Sequence, residues 1–287
     1  MRKIMNNKNI EKIITEVLAI EAESAKEAGT IGYMARVFAQ ATIPHKKVIG
    51  NEFTRKNGVF SLSIISPSKI GLPYGTIPRL LLYWITTEAV RKKNPEIVLG
   101  NTLSGFMQEI GLIPSGGRWG SITRLRDQMK RLFSSSISCH CENEEQSAAI
   151  GFNLAKEYNL WWQPKQPDQA FLWESTVTLS KDFFEEIVKK PIPIDIRALK
   201  SLQRSPLSLD IYCWLTYRMS YVNKQTNIPW EVLQAQFGSD YTRTRDFKKK
   251  FVKQLRHVML VYPEAKIEDG DTCLILHPSR PHIPILY

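Results

Sequence analysis

The stretch SITRLRDQMKRLF (121–133) decides the fold, because it closes a three-helix pattern that the chain contains twice. The two copies are LLLYWITTEAV (80–90), LSGFMQEIGL (103–112) and SITRLRDQMKRLF (121–133), then LDIYCWLTYRMSYV (209–222), WEVLQAQFGS (230–239) and YTRTRDFKKKFVKQLRHV (241–258). The matched residues are Trp84 and Trp214, Thr86 and Thr216, and Gly111 and Gly238. The repeat predicts two domains of one architecture. A short helix followed by a basic amphipathic helix is typical of helix-turn-helix DNA binding.

The composition favours a globular protein with an anionic partner. The 287 residues suffice for about two domains, and the 43% hydrophobic content suffices for packed cores. The net charge of +11 is concentrated in the last helix of each copy. Segment 241–256 has seven basic residues against one acidic residue, and segment 118–131 has five against one. Both segments therefore predict contact with a polyanion such as DNA.

The four cysteines are too sparse for a disulfide framework. No apolar run reaches transmembrane length, and the N-terminus lacks the apolar core of a signal peptide. We therefore expect a reduced, cytoplasmic protein without a membrane partner.

The chain is predicted to have three regions. Residues 1–58 form an N-terminal amphipathic helix (9–28), which either docks on the body or pairs with another chain, and a basic, loop-like arm (43–58). Residues 59–190 form a first winged-helix domain, and residues 191–287 form a second, with KKPIPID (189–195) as the linker.

Further elements complete each predicted domain. In the first, VFSLSII (59–65) and STVTLS (175–180) are predicted strands, and 181–190 is a predicted helix. The runs 135–141 and 147–155 predict a β-hairpin directly after the basic helix, where a winged-helix domain has its wing. In the second, residues 265–278 predict a hairpin that turns at 268–271, and the proline-rich tail is irregular.

The second basic helix carries the stronger candidate interface. Phe247, Phe251, Leu255 and Val258 fall at helical spacing and predict a buried stripe. The opposite face suits a helix in a major groove, where Arg and Lys donate to guanine or to phosphates. The candidate DNA-binding residues of this copy are Thr242, Arg243, Arg245, Lys248, Lys249, Lys253 and Arg256. Among them, Arg245, Lys249 and Lys253 are expected in the groove, and Lys248 and Arg256 at phosphates.

The first basic helix offers a smaller set, with a dimer interface as the alternative use. The candidates are Arg118, Ser121, Thr123, Arg124, Arg126, Asp127, Lys130 and Arg131. Arg124, Asp127 and Arg131 are expected at bases, and Arg118 and Arg126 at phosphates. Gly116 and Gly117 precede this helix, where glycine lets the backbone approach a phosphate. Ser121 is also a plausible N-cap of the helix.

No catalytic residue, metal or cofactor is predicted. Cys139 and Cys141 share one face of a strand while His140 points to the other, and no second ligand pair at zinc spacing follows. The five histidines contain no His-x-His pair of the kind that a metal-dependent, rolling-circle nicking enzyme uses. The sequence therefore predicts a binding protein and not an enzyme.

The same residues resemble a known family, the plasmid-encoded RepA-type replication initiators. The likeness lies in 74–90, 103–133 and 228–265 and covers most of residues 40–287, with GGRWGSITRLRDQM (116–129) as its most specific run. The resemblance implies a protein that binds repeated sequences (iterons) at a plasmid origin, helps to open the duplex, and recruits the host initiator ATPase and replicative helicase. It also implies tandem winged-helix domains and autoregulation, in which a dimer represses its own promoter.

We therefore expect an α+β, mainly α, fold with tandem winged-helix domains and a role in replication initiation. The two basic helices would read double-stranded DNA in successive major grooves, about one helical turn apart. A dimeric, sequence-specific transcriptional repressor remains the alternative, since it needs the same modules but no host partners. The second copy has the denser basic face, so we expect it to supply most of the affinity.

Overall fold

A computed structural model describes residues 20, 24–142, 147–170, 174–238 and 241–284. The chain divides into two compact units. We call Met34–Pro191 the middle unit, and Met1–Tyr33 together with Ile192–Tyr287 the terminal unit. The helix predicted over 9–28 lies outside the described residues, except for Ile20 and residues 24–28. No helix of the described residues is long and apolar enough to cross a membrane.

Both units contain helices and strands. In chain order they are β1 (Ile31–Met34), α1 (Arg36–Gln40), β2 (Glu52–Asn57), β3 (Phe60–Ile65), α2 (Thr76–Lys92), β4 (Glu96–Val98), α3 (Leu103–Glu109), α4 (Ser121–Phe133), β5 (Ser136–Glu142), β6 (Ser147–Asn153), β7 (Ala155–Asn159), β8 (Thr176–Leu179), α5 (Lys181–Lys189), β9 (Ile192–Asp195), α6 (Ile196–Leu202), α7 (Pro206–Met219), β10 (Thr226–Pro229), α8 (Trp230–Phe237), α9 (Thr244–Val261), β11 (Ile267–Asp269) and β12 (Cys273–Leu276). The helical trios, the strands at 59–65 and 175–180, the helix at 181–190 and the hairpin at 265–278 thus form where the sequence predicted them.

The two units repeat one arrangement of helices and strands. In the middle unit the repeated elements are α2, β4, α3, α4, β7 and β8, with the hairpin β5–β6 inserted between α4 and β7, and their sheet has the order β4-β8-β7. The terminal unit runs α7, β10, α8, α9, β11, β12, and its sheet has the order β10-β12-β11. All four pairings are antiparallel, with the last strand in the centre. The repeated sequence pattern therefore corresponds to a repeated topology.

Matched tryptophans anchor the core of each repeat. Trp84 of α2 packs edge-on against Phe106 of α3, with ring centroids 5.0 Å apart. Trp214 of α7 packs in the same way against Phe237 of α8, at 5.5 Å. Each ring therefore joins the first helix of its trio to the second.

The hairpin after α4 forms, but its role differs from the wing that we predicted. Strand β5 pairs with β6 on one side and with β3 on the other, in a separate four-stranded sheet of order β2-β3-β5-β6. The buried pairs Leu62–Cys139 and Ile64–Ile137 lie directly across the β3–β5 boundary, so apolar burial selects this pairing. The acidic tip of the hairpin, 143–146, lies outside the described residues.

Residues 34–58 belong to the middle unit and not to a separate N-terminal arm. The loop predicted over 43–58 contains β2, which pairs antiparallel with β3. Phe53 and Arg55 of this strand are buried, and the Arg55 guanidinium lies 4.8 Å from the Phe53 ring centroid. A polar sequence with a buried arginine hides the alternation by which strands are recognised.

The predicted linker 189–195 is also partly regular. Its last four residues form β9, which pairs with β1, and all four are buried. Only the residues up to Pro191 lie before the boundary between the two units.

The tail after β12 is irregular, as predicted, through residue 284 and is held by one histidine. The His282 ring stacks on Tyr262 with centroids 4.9 Å apart, and its Nδ1 lies 2.8 Å from the Tyr212 hydroxyl. The Tyr212 hydroxyl also accepts a hydrogen bond from the Asp195 backbone N–H at 2.9 Å. The Tyr262 hydroxyl donates to the Arg280 carbonyl at 2.6 Å. The tail is therefore docked on the terminal unit by aromatic rings and by hydrogen bonds.

Candidate nucleic-acid interface

Helix α9 has one buried face and one cationic face. The predicted stripe is buried, together with Gln254 and Val261. At 100° per residue, the side chains opposite that stripe are Arg245, Lys249, Lys253 and Arg256. All four are exposed, and none of them has an ion-pair partner among the described residues. The helix therefore presents a row of uncompensated cations to the solvent.

One histidine of this helix has a lowered pKa. Burial is the main cause that lowers the pKa of His257, and the nearby charges of Lys253 and Lys250 lower it further. Positive neighbours disfavour a protonated imidazole. The two lysines thus add to the effect of burial on this ring.

Lys248 differs from the cations around it. Its ammonium donates to the carbonyls of Gly270 at 2.9 Å and Asp271 at 3.1 Å, and it lies 5.3 Å from the Trp230 ring centroid. The Trp230 indole N–H donates to the same Gly270 carbonyl at 3.0 Å. Lys248 therefore holds the β11–β12 turn against the start of α9, and we no longer expect it to bind phosphate.

The start of α9 is tied to α8. Thr244 donates its hydroxyl to Gln234 Oε1 at 2.7 Å, and Gln234 Nε2 donates to the Tyr241 carbonyl at 2.6 Å. Two of the predicted residues, Thr242 and Arg243, are exposed beside these contacts, with Arg243 at the N-cap position. The short helix thereby fixes where the exposed start of the basic helix points.

Helix α4 shows the same division with fewer free cations. Its exposed side chains include Thr123, Arg124 and Lys130. Its buried apolar side chains are Ile122, Leu125, Met129, Leu132 and Phe133. Arg126 is half-buried on one flank and makes no salt bridge within the described part of the chain. Thr123 donates its hydroxyl to the Gly117 carbonyl at 2.9 Å, which leaves the cations as the principal candidates for an anionic partner.

Arg131 and Asp127 are engaged with each other. Arg131 Nε lies 2.7 Å from Asp127 Oδ2, and the guanidinium also donates to the Leu72 carbonyl at 3.3 Å and lies 5.6 Å from the Tyr74 ring centroid. The Arg131 side chain is only 14% exposed. Its contacts pin the segment before α2 to helix α4, so we no longer expect this pair to contact bases.

Ser121 anchors the loop before α4 and does not cap the helix. The N-cap position belongs to Gly120. Ser121 is buried, donates its hydroxyl to the Ile113 carbonyl at 2.6 Å and accepts from the Ser115 N–H at 2.9 Å. We therefore remove Ser121 from the candidate DNA-binding residues.

A groove lies beside the start of each basic helix. In the middle unit it is lined by Gly116, Gly117, Arg118, Ile122, Thr123, Pro164, Lys165 and Pro167. In the terminal unit it is lined by Pro229, Trp230, Glu231, Thr244, Arg245, Lys248, Asp271, Thr272 and Cys273. Each groove thus separates the helix start from the connection between the last two strands of its repeat.

Lys165 is a candidate that the sequence prediction missed. The segment around it packs on α3, because Trp162 stacks on Phe106 at 5.1 Å and the Pro167 carbonyl accepts from the Ser104 N–H at 3.0 Å. The resulting position brings Lys165 to the groove that Arg118 also lines. The sequence around Lys165 does not predict this position, because the loop has neither helical nor strand periodicity.

The Cys139–Cys141 segment has no arrangement suited to a metal in the described residues. Cys139 is buried and Cys141 is exposed, and burial is the main cause that raises the pKa of the Cys139 thiol to about 12. Groups of three or more His, Cys, Asp or Glu side chains close enough to hold an ion are absent from the part of the chain described.

Comparison with known proteins gave one family and one fold. A family model described as plasmid encoded RepA protein matches residues 72–233, more than half of the chain. Two solved structures of domains 2 and 3 of RctB are similar in fold. One, RctB-155-483, has 11% identity and a TM-score of 0.51 and covers 83% of this chain and 94% of its own. A selenomethionine derivative has 12% identity and a TM-score of 0.55 and covers 87% and 97%. The curated proteins contain no match.

Proposed function

Since this chain belongs to the plasmid-encoded RepA protein family, we propose that it is a replication initiator that binds repeated origin sequences through two winged-helix domains. The observation that carries the DNA-binding role is the row Arg245, Lys249, Lys253 and Arg256, which is exposed opposite the buried face of α9. The winged-helix assignment is supported by the topology that the two repeats share. In each, a helix, a strand, two helices and two strands follow one another along the chain, and the three strands form a sheet with the third strand between the first and the second.

In this proposal α9 lies in a major groove of the origin DNA. Arg245, Lys249 and Lys253 face the base edges, and Arg256 binds a phosphate. The β11–β12 turn, fixed by Lys248, acts as the wing and follows the neighbouring backbone. Arg243 at the N-cap and Thr242 before it lie where a phosphate approaches the free N–H groups of the helix start.

Helix α4 makes a second and weaker contact in the same proposal. Arg124, Arg126 and Lys130 supply its charge, with Arg118 and Lys165 on either side of the adjacent groove. The connection between β7 and β8 acts as the wing of this repeat. Asp127 and Arg131 pair with each other and stabilise the helix, and in this proposal they do not contact the DNA.

We further propose that bound protomers bend adjacent repeats and so favour strand separation. The host initiator ATPase and replicative helicase would then load on the open region, as the family implies. The protein acts in this scheme by binding, without catalysis of its own, in the cytoplasm where the plasmid lies.

The test is charge reversal on α9, measured by footprinting on the DNA upstream of the gene. We expect Lys249→Glu with Lys253→Glu to lower specific affinity by 100-fold or more, because about two cation–phosphate or cation–base contacts become repulsive. Both side chains are exposed, so the circular dichroism spectrum and thermal midpoint should not change.

The matched control is Lys26→Glu with Lys224→Glu, which makes the same change in charge at exposed lysines of the terminal unit. Equal loss in both double variants would indicate that only net charge matters and would refute α9 as the reading helix. Protection of a single inverted repeat, without reactive thymines in permanganate footprints, would indicate a dimeric repressor in place of an initiator.

A further inference from the structure

The loop before α4 exposes a large aromatic ring. Trp119 is 80% exposed, and it stands one residue before the N-cap Gly120. An apolar residue at this position commonly packs on the fourth residue of the helix, which is Arg124 here. Arg124 is itself exposed, so the usual apolar cover of the ring is missing.

The loop that carries Trp119 is held by hydrogen bonds on both sides of the ring. Ser121 bonds the Ile113 carbonyl at 2.6 Å, and the Ser121 N–H donates to Ser115 Oγ at 2.9 Å. The Gly120 N–H donates to the Gly117 carbonyl at 3.1 Å. At Gly120 the backbone of Ser115 and Gly116 leaves no room for a side chain. The exposed ring is therefore presented by a fixed turn.

The surroundings of the ring are cationic. The Arg118 guanidinium lies 5.1 Å from the Trp119 ring centroid, and Lys165 lines the groove that Arg118 also lines. Gly116 and Gly117 add backbone that a ligand approaches closely. An exposed flat ring beside a guanidinium, next to a groove that a lysine also lines, suits a ligand that is both planar and anionic, which describes a nucleotide better than an apolar protein surface.

We infer that Trp119 stacks on an unstacked base of DNA, while Arg118 and Lys165 bind the flanking phosphates. Bases inside a duplex are covered on both faces by their neighbours, so the ring finds a free face only where a step is splayed or a strand is separated. The inference rests on the proposed function and assigns a site that holds the opened strand at the origin.

The experiment compares two probes on the full-length protein: a fluorescein-labelled, mixed-sequence single-stranded 20-mer and a duplex that contains the protected origin sequence. We expect Trp119→Ala to weaken binding of the single strand by about 5- to 140-fold, the range for loss of one base–aromatic stack. Duplex affinity should stay unchanged. Trp119→Phe should retain most single-strand affinity, because a phenyl ring also stacks.

The matched control is Tyr221→Ala in the terminal unit. Tyr221 is also exposed and lies 5.1 Å from a guanidinium, that of Arg218, but it is outside the candidate interface. Its removal should change neither affinity.

Equal binding of the single strand by Trp119→Ala and the wild type would overturn the inference. So would a change in oligomeric state on sedimentation with both DNA affinities intact, which would make the ring a protein contact. A wild-type protein that binds neither probe would overturn the proposed function itself. Normal duplex affinity, together with a single-strand affinity that does not depend on Trp119, would overturn only the present inference.

Discussion

Gly111 and Gly238 end the short helices of the two repeats, yet each is glycine for a different reason. Gly111 has a φ of +80°, a conformation that other residues adopt only with strain. Gly238 has a φ of −143°, which any residue adopts, but the buried Phe247 ring occupies the space of its side chain. Matching positions in a repeat are therefore kept small by backbone strain in one copy and by packing in the other.

Gly238→Ala should destabilise the terminal unit by about 1–3 kcal/mol, because the new methyl group must displace a buried aromatic ring. The measurement is urea unfolding followed by tryptophan fluorescence. Gly116→Ala is the control, since a side chain there meets nothing within 4 Å; its cost should stay within about 0.5 kcal/mol. Equal costs at the two positions would contradict the packing argument.

The sequence predicted which charged residues face the solvent on α9, but not which cations are already engaged. Periodicity places Lys249 and Lys253 opposite the buried stripe. Lys248, Arg131 and Ser121 all bond backbone carbonyls. Each residue has a backbone carbonyl, whatever its side chain. The sequence therefore does not show that the carbonyls of Gly270, Leu72 and Ile113 are the acceptors.

At the scale of elements, local pattern predicted the helices, and long-range pairing decided the sheets. The hairpin at β5 and β6 was predicted as a hairpin, since turn chemistry and alternation are local signals. Its partner β3 was not predicted, because several apolar strands of similar length compete for the same neighbour. Which strand pairs with β5 is decided by the packing of buried cross-strand pairs, and these form only in the folded state.

Acid should weaken docking of the tail. Burial is the main cause that lowers the pKa of His282 below its ordinary 6.5; the charge of Arg197 acts in the same direction, and Asp195 and Glu264 oppose it. As the pH falls through about 6.5, the unfolded chain therefore takes up a proton that the docked ring does not. The contribution of His282 to stability is fully present above pH 6.5 and is lost as the pH falls from 6.5 towards the lowered pKa.

The measurement is the thermal midpoint between pH 7.5 and pH 5. His282→Gln should flatten this dependence relative to the wild type, and it should lower the midpoint at pH 7.5 because the stack on Tyr262 is lost. His140→Gln removes an exposed histidine of the middle unit and should leave the pH profile as it is. A wild-type profile in His282→Gln would exclude this ring as the titrating group.

On the scale of the whole molecule, the two repeats share a topology but differ in available charge. The exposed and unpaired cations of α9 include Arg245, Lys249, Lys253 and Arg256, whereas α4 has Arg124 and Lys130. The sequence already showed fewer basic residues on α4 than on α9. Because Arg131 pairs with Asp127, the number of available cations on α4 is lower still. We expect the terminal unit to supply most of the salt-dependent affinity.

Neutralising pairs should reveal that difference. Lys249→Gln with Lys253→Gln should reduce the slope of log affinity against log salt by at most about 2, because two cations fewer displace counterions from the duplex, and Arg124→Gln with Lys130→Gln should reduce it by less. Fluorescence anisotropy at several salt concentrations on the same origin duplex gives both slopes. A larger effect from the α4 pair would reverse the assignment of roles.

The pairing of β1 with β9 has a consequence for the order of assembly. The terminal unit takes strands from either side of the middle unit, so β1 leaves the ribosome long before its partner exists. Folding of the middle unit shortens the effective loop between the two strands and lowers the entropic cost of closing it. Synthesis thus favours a sequence in which the middle unit matures first. The terminal unit, which has the denser cationic helix, is completed only after β9 to β12 have emerged, so in the proposed function an unfinished chain lacks the stronger DNA contact.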